Sequence, residues 1–251
     1  MKQPWPHTVG AAQSAQPGLI HGGGVAMQTR LDLAAIGALR CIDSHTIANA
    51  VETFRLRPRV AGYVGYDIRC TFPELPPSVE YAVSRRVDST TEGREGMGFQ
   101  RLFELLRDAP RPGLVVMQDA GPDRPHSCHA EEIMATTMKR LGAVGILADG
   151  GLRDMHQIRA LQGFQLFCPG LVVSHGNLMC VSVGDAVTIS GLEIRTGDLL
   201  HGDANAVVRI PEQCAPNVPV AAQRVLAEEA RALSRIKGPE FFKRSAGELE
   251  H

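Results

Sequence analysis

The chain of 251 residues is short of several things, and each shortage narrows what it can do. It lacks a charge excess: 26 Lys and Arg stand against 27 Asp and Glu, a formal net charge of −1. That balance argues against an electrostatic nucleic-acid binder and against a basic membrane-facing surface. No apolar run reaches the roughly eighteen residues of a membrane-crossing helix. The amino end lacks a basic region followed by an apolar core, so no secretory signal is expected and the cytoplasm is the expected location. No C-x-x-C spacing occurs among the six cysteines, Cys41, Cys70, Cys128, Cys168, Cys180 and Cys214. Free thiols in a reducing compartment are therefore expected rather than a disulfide framework. A Gly-x-Ser-x-Gly elbow is also missing, which leaves His21-Gly22-Gly23-Gly24 without the nucleophile that an oxyanion-hole loop would serve. Aromatics are few, at 5%, whereas 44% of residues are hydrophobic. Gly, Ala and Val are plentiful, a composition suited to a compact α/β fold.

What is present is concentrated in Glu131–Asp154, EEIMATTMKRLGAVGILADGGLRD. Its first part, to Arg140, reads as a helix with Ile133, Met134 and Met138 spaced to share a face. Gly142 stands where a left-handed cap is wanted. Ala143 to Ala148 is a short apolar run without helical period, the pattern of a strand buried on both faces. Asp149-Gly150-Gly151 reads as a turn, and Arg153-Asp154 follows. One helix–turn–strand unit thus joins an acid at a helix start to an Arg-Asp pair beyond a strand end, where open α/β sheets bind small ligands. A carboxylate is a hard oxygen ligand for an ion such as Mg²⁺. A guanidinium can grip a substrate carboxylate through two parallel hydrogen bonds. An Arg-Asp dipeptide on its own, however, is more often a neutralised surface pair.

The rest of the chain frames this stretch. Residues 1–26 read as a flexible arm, rich in Gly, Pro, Gln and Ala, with Met27 a second candidate start. Residues 27–248 read as a single domain, and 249–251 as a tag remnant. Two helical patterns fill 28–55, the second capped by Asp43 or Ser44. Val60–Cys70 reads as a strand with Arg69 outward, Glu80–Arg85 as a short helix, and the polar run from Asp88 as a solvated insertion, with a lid as the alternative. An amphipathic helix is expected over Gly98–Asp108 and a buried strand over Gly113–Asp119. Past the central stretch come a helix at Met155–Leu161, strands at Phe164–Phe167, Leu171–Val173, Cys180–Ile189 and Gly191–Leu200, and a long helix at Ala221–Ile236. The loop 119–132 holds His126, Cys128 and His129, which invite a zinc reading, but no second half of a four-ligand set lies at a familiar spacing. His129 is instead a candidate for the substrate side, with an ordinary loop residue as the alternative. Asp198 and Asp203 read as turn residues, with ligand contact as the alternative.

The stretch from Glu132 to Asp154, E-I-M-A-T followed by G-A-V-G-I-L-A-D-G-G-L-R-D, resembles the signature of a known family: an acid, twenty residues, then Arg-Asp. A second feature, Thr196–Pro211 (TGDLLHGDANAVVRIP), resembles that family's downstream segment. The family unites the class II, metal-dependent 4-hydroxy-4-methyl-2-oxoglutarate/4-carboxy-4-hydroxy-2-oxoadipate aldolases with the RraA-like regulators of ribonuclease activity. The resemblance runs from about Asp43 to Arg235. It implies an α/β layered domain of the swivelling β/β/α type, a central sheet flanked by helices, assembled as a homotrimer or homohexamer. It implies a lyase that cleaves a 4-hydroxy-2-oxo acid through a pyruvate enolate and decarboxylates oxaloacetate in the same site. Mg²⁺ or Mn²⁺ would be held by Asp154 directly and by Glu132 through water. Arg153 and the backbone N–H groups of Ile133 and Met134 would hold the substrate. An acid from a neighbouring subunit's carboxyl-terminal region, with Glu228 and Glu229 as candidates, would join the metal's water shell. Two departures stand out: Glu131 where the family has Gly, and Asn49 where it has Asp. The regulator branch, a non-catalytic protein-binding alternative, is expected to lack the acid at the position of Glu132. A divergent enzyme acting on another small acid is a third reading.

Overall fold

The computed structural model describes residues 31–93, 95–238 and 241. The expectations for the amino-terminal arm, Met27 and the final three residues lie outside these. The chain opens with two helices, α1 (Leu33–Leu39) and α2 (Ser44–Glu52). Strands β1 (Arg69–Cys70) and β2 (Ser78–Asp88) precede helix α3 (Gln100–Asp108) and strand β3 (Gly113–Asp119). Then come β4 (Cys128–Ala130), α4 (Glu132–Arg140), β5 (Ala143–Ala148), β6 (Gly151–Leu152), α5 (Met155–Arg159) and β7 (Gln165–Cys168). A β-rich part follows, β8 (Met179–Val183), β9 (Val187–Ile189), β10 (Leu192–Ile194), β11 (Leu199–Gly202) and β12 (Val207–Ile210), before the long helix α6 (Val218–Lys237).

Four strands, β2, β3, β5 and β7, lie parallel and side by side at the centre of the main sheet. Parallel strands need crossovers, and the helices α3, α4 and α5 supply them. Their apolar residues Leu102, Leu106, Met134, Met138 and Ile158 pack onto one sheet face with Val83, Val115 and Ile146. Truncating one of these larger buried side chains to Ala would cost about 2–5 kcal/mol. The other face is covered by the β9–β10 hairpin, through Val187, Ile189, Leu192 and Ile194 against Leu114, Val116 and Leu147. A third cluster packs α1, α2 and α6 against Val79, Tyr81, Leu199 and Ile210. The edges are antiparallel: β1 on β7, and β11 then β12 beyond β2.

Strand β2 explains the curl of this sheet. Its first residues pair with β11 and its last with β8, while β3 runs along its other side. One strand therefore changes partner midway, and the irregularity at Arg86/Val87 lets β8 follow the bend. Of its eleven residues only Arg86 is exposed. This corrects the expected helix over Glu80–Arg85. Glu80 and Arg85 are both fully buried and, five residues apart on a strand, point to opposite faces.

Other expectations shift for local reasons. The strand expected over Val60–Cys70 shrinks to Arg69–Cys70, because Gly62 (φ +91°) and the turn at Gly65–Ile68 break extension. Arg69 does point outward. Leu171–Val173 makes only an isolated bridge with Leu152. The two long strands expected over 180–200 are four shorter ones, divided by turns at Gly184, Gly191 and Gly197, all with positive φ. Neither Asp43 nor Ser44 caps α2 with its own side chain. The carboxylate of Asp203, at the end of β11, receives the Ser44 N–H and hydroxyl, each at 2.7 Å, and the Asn205 N–H at 2.8 Å. All six cysteines are free thiols. No helix among the described residues is long and apolar enough to cross a membrane.

Candidate active site

The site lies past the carboxyl ends of β3 and β5, and a two-stranded ribbon builds it. Strands β4 and β6 pair in parallel, Cys128 opposite Gly151 and Ala130 opposite Leu152. Parallel neighbours that end level deliver their next residues side by side. Glu131-Glu132 follows β4 and Arg153-Asp154 follows β6, so the twenty-residue spacing in sequence becomes direct contact. Between them α4 and β5 form the return path. Glu132 in the first turn of α4 and Lys139 and Arg140 in its last complement the helix dipole. Gly142, at φ +104°, turns the chain into β5.

The contacts are specific. Asp154 Oδ2 accepts the Glu132 N–H at 3.2 Å. Arg153 Nη2 donates to Glu131 Oε2 at 2.6 Å, Arg153 Nη1 donates to the Val173 carbonyl at 3.2 Å, and Arg153 Nε lies 3.6 Å from Asp154 Oδ2. Arg153 and Asp154 side chains are 26% and 30% exposed, open enough for a ligand and shielded enough for their charges to act. Asp154 sits in the left-handed backbone region, φ 61° and ψ 41°, as the residue that begins α5. The first turn of α4 leaves the N–H groups of Ile133 and Met134 without acceptors inside the helix. The Ile133 side chain does not share the apolar face expected of it. It is 72% exposed, because only Met134 and Met138 of the three turn inward.

His129 corrects another expectation. All three residues of β4 are buried, since the ribbon lies against the end of β3. The imidazole is fully enclosed, with Nε2 3.1 Å from Asp119 Oδ1, and so cannot touch a substrate in this arrangement. Ser127 Oγ donates to the same Asp119 oxygen at 2.5 Å, and Asp149 Oδ1 accepts the Asp119 N–H at 2.6 Å. Burial alone would push Asp119 up; the hydrogen bonds from His129 and Ser127 outweigh it and hold the carboxyl below its ordinary value. Asp119 therefore ties together the two loops that carry the site, one through His129 and one through Asp149. The zinc grouping does not form: His126 turns to Asp123, and Cys128 donates to the Ala130 carbonyl with its thiol pushed up by burial. Residues missed in the sequence are Asp119, whose partners are remote in the chain, and Val173, whose contribution is a carbonyl that any residue supplies.

Two acids, Glu131 and Asp154, flank one guanidinium, and the exposed Glu132 follows Glu131 in the chain, so the site carries excess negative charge. Among the described residues no group of three His, Cys, Asp or Glu side chains converges as a metal cage. Mg²⁺ does not need one: it keeps several waters and uses one or two carboxylates together with ligand oxygens. Asp154, with the exposed Glu132 beside it, fits that donor set. Glu229 accepts from Asn49 Nδ2 at 3.4 Å across the α2–α6 contact, and Glu228 is exposed on α6.

This fold, an α/β sheet curled and flanked by helices with its acids and Arg at the ends of parallel strands, is that of a known class. Residues 89–209 match the RraA-like family described as Aldolase/RraA. The match spans just under half of the chain and marks that segment as similar to the RraA-like family. A protein of Halalkalibacterium halodurans, named as a candidate 4-hydroxy-4-methyl-2-oxoglutarate aldolase, is 30% identical over 119 residues, 47% of this chain and 56% of that protein. The chain thus spans about half the length of this relative, and 46% of a Methanocaldococcus jannaschii relative. Streptomyces coelicolor RraAS2, described as an unusual member of the RNase ES inhibitor RraA protein family, superposes with a TM-score of 0.64 at 20% identity. That match covers 82% of this chain and all of the other. A structure described as belonging to novel cellulases of gut-associated microbes superposes with a TM-score of 0.67 at 18% identity, over 81% of this chain and 88% of that one. At such identities these structures establish the fold alone.

Proposed function

We propose that the chain is a divalent-metal-dependent carbon–carbon lyase that cleaves a 4-hydroxy-2-oxo acid to pyruvate and decarboxylates oxaloacetate in the same site. The observation that carries this reading is the meeting of Arg153, Asp154 and the first turn of α4, fixed by the 3.2 Å bond from the Glu132 N–H to Asp154. Arg153 would hold the substrate's carboxylate and keto oxygens, and the N–H groups of Ile133 and Met134 would complete the grip. Asp154 directly, and Glu132 through water, would hold Mg²⁺ or Mn²⁺. The bound ion supplies Lewis-acid polarisation of the keto oxygen. Arg153 would stabilise the enolate as the carbon–carbon bond breaks, its charge standing where negative charge develops. We further propose that the protein works as a homotrimer or homohexamer with an acid from a neighbouring copy, Glu228 or Glu229, near the site.

The test is pyruvate release, in a coupled assay, from oxaloacetate and from 4-hydroxy-4-methyl-2-oxoglutarate. It is run with Mg²⁺, with Mn²⁺, with chelator, and with Asp154→Ala. The expected result is metal-dependent turnover that falls about a hundredfold or more in the variant. Absence of turnover with either metal in a folded oligomer would sink the lyase reading and favour a protein-binding role, the other branch that the family's description joins.

A further inference from the structure

The one cation of the site already has a carboxylate in its grasp. Arg153 Nη2 and Glu131 Oε2 are 2.6 Å apart, the shortest of the contacts around this guanidinium. The two side chains are only 26% and 21% exposed, so solvent screens the pair less than it would on an open surface. Nη1 donates to the Val173 carbonyl at 3.2 Å, whereas Nε, 3.6 Å from Asp154, is buried without a hydrogen-bond partner. Glu131 is not required to stay there by the helix it precedes. It occupies the position before α4 in extended backbone, φ −137° and ψ −177°, and makes no side-chain capping bond. Rotation about its side-chain torsions alone would release the guanidinium.

We infer that Glu131 is a specificity-determining residue, an internal carboxylate that competes with the ligand's own carboxylate for Arg153. The inference rests on the reading of Arg153 as the substrate's anchor. A guanidinium presents its strongest recognition through paired N–H donors, and Glu131 holds one of them in the same charge-assisted way that a 2-oxo acid would. An incoming anion must displace Glu131 and leave it, with Asp154 and Glu132, as an added negative neighbour. Glu131 therefore lowers affinity for small carboxylates and acts on substrate binding more than on bond cleavage.

The test is titration calorimetry of oxalate, a planar stand-in for the pyruvate enolate, into the full chain with Mg²⁺ present and again with Mn²⁺. The proteins compared are wild type, Glu131→Gly, Glu131→Gln and Arg153→Gln. The extended backbone at 131 accepts either replacement, and circular dichroism checks the fold of each. Glu131→Gly should bind oxalate about tenfold tighter than wild type, the scale of one charge-assisted hydrogen bond. Glu131→Gln should fall between them, and Arg153→Gln should lose binding. The KM for oxaloacetate should drop in Glu131→Gly with kcat little changed. If wild type binds in an Arg153-dependent way and both Glu131 variants bind no tighter, this inference is overturned while the lyase reading stands. Weaker binding by Glu131→Gly would also overturn it, by showing that Glu131 pre-orients the guanidinium. If no folded variant binds oxalate, both readings fall.

Discussion

The Asp154 carboxylate accepts the backbone N–H of Glu132 at 3.2 Å across 22 residues of chain. One side chain thus joins the acid that heads α4 to the Arg-Asp pair behind β6. The geometry leaves Arg153 with two edges, one toward Asp154 and one toward Glu131. A lysine at 153 could reach either but not span both, since an ammonium is a point charge on a flexible stem. Arg153→Lys is therefore expected to lose about a hundredfold in kcat/KM for oxaloacetate. A lysine variant with near-normal turnover would contradict the role given to Arg153.

Asp119 should be the most costly acid to remove. Its side chain is 4% exposed, and it satisfies a buried histidine and a buried serine at once. Asp119→Ala would leave both without that acceptor, a loss of about 2–4 kcal/mol by chemical denaturation at neutral pH. The sign with pH follows from its depressed folded pKa. The stabilisation is present above the unfolded carboxylate value, about 3.9, and is lost as pH falls through the lower folded value. The gap between wild type and variant should narrow below about pH 4; a gap independent of pH would show that the charge of Asp119 is not what matters.

Gly150 tests the same network from the other side. A methyl group at this position would overlap the His129 ring at Nε2, the atom that meets Asp119. The ring is fully buried and cannot swing clear. Gly150→Ala should lower the melting temperature and weaken turnover together, because the loop it distorts leads directly to Arg153. Wild-type behaviour in both assays would mean that the ring has room to move.

Glu80 sets a stability trend at the opposite pH range. The Ser78 hydroxyl donates to the Gly202 carbonyl at 3.3 Å, and both Glu80 oxygens lack a hydrogen-bond partner. Burial pushes the carboxyl up to about 8. A group whose folded pKa is raised contributes stability below its unfolded value and loses it as pH rises through the folded one. Wild type should therefore become less stable between pH 5 and pH 8, and Glu80→Gln should remove much of that slope. Parallel melting curves for the two proteins across this range would refute the assignment.

Much of the local structure that frames the candidate site was legible in the sequence because its logic is local. Apolar period, Gly142 and the length of the run at Ala143 identify α4 and β5 without reference to the rest of the chain. Residues Gly113–Asp119 are legible for the same reason. What was not legible depends on partners far away. Glu80–Arg85 read as a short helix, since nothing in the neighbouring sequence shows that β3, β8 and β11 will enclose the segment. Arg85 is accommodated by donating to the His129 carbonyl at 3.3 Å and lying 4.8 Å from the Phe99 ring centre, contacts across 44 and 14 residues. His129 looked like a loop residue free to meet a ligand. The β4–β6 ribbon that buries it has three residues on one side and two on the other, too few to leave a pattern.

The backbone at Asp154 also bears on how this site could change over generations. At φ 61° most side chains are strained, and Asp, Asn and Gly are the residues that sit there most readily. Mutations that keep the fold are thus steered toward a small set, of which Asn preserves the shape of the acceptor while discarding its charge. Such a change lies one nucleotide away from an aspartate codon. On the lyase reading proposed above, a lineage carrying it would keep its sheet, its ribbon and its outer surface, yet lose the carboxylate proposed to hold the cation. On that reading, passage from an enzyme to a protein that works only through its surface would need no redesign of the scaffold, only the loss of one negative charge at a position where the backbone already favours the replacement.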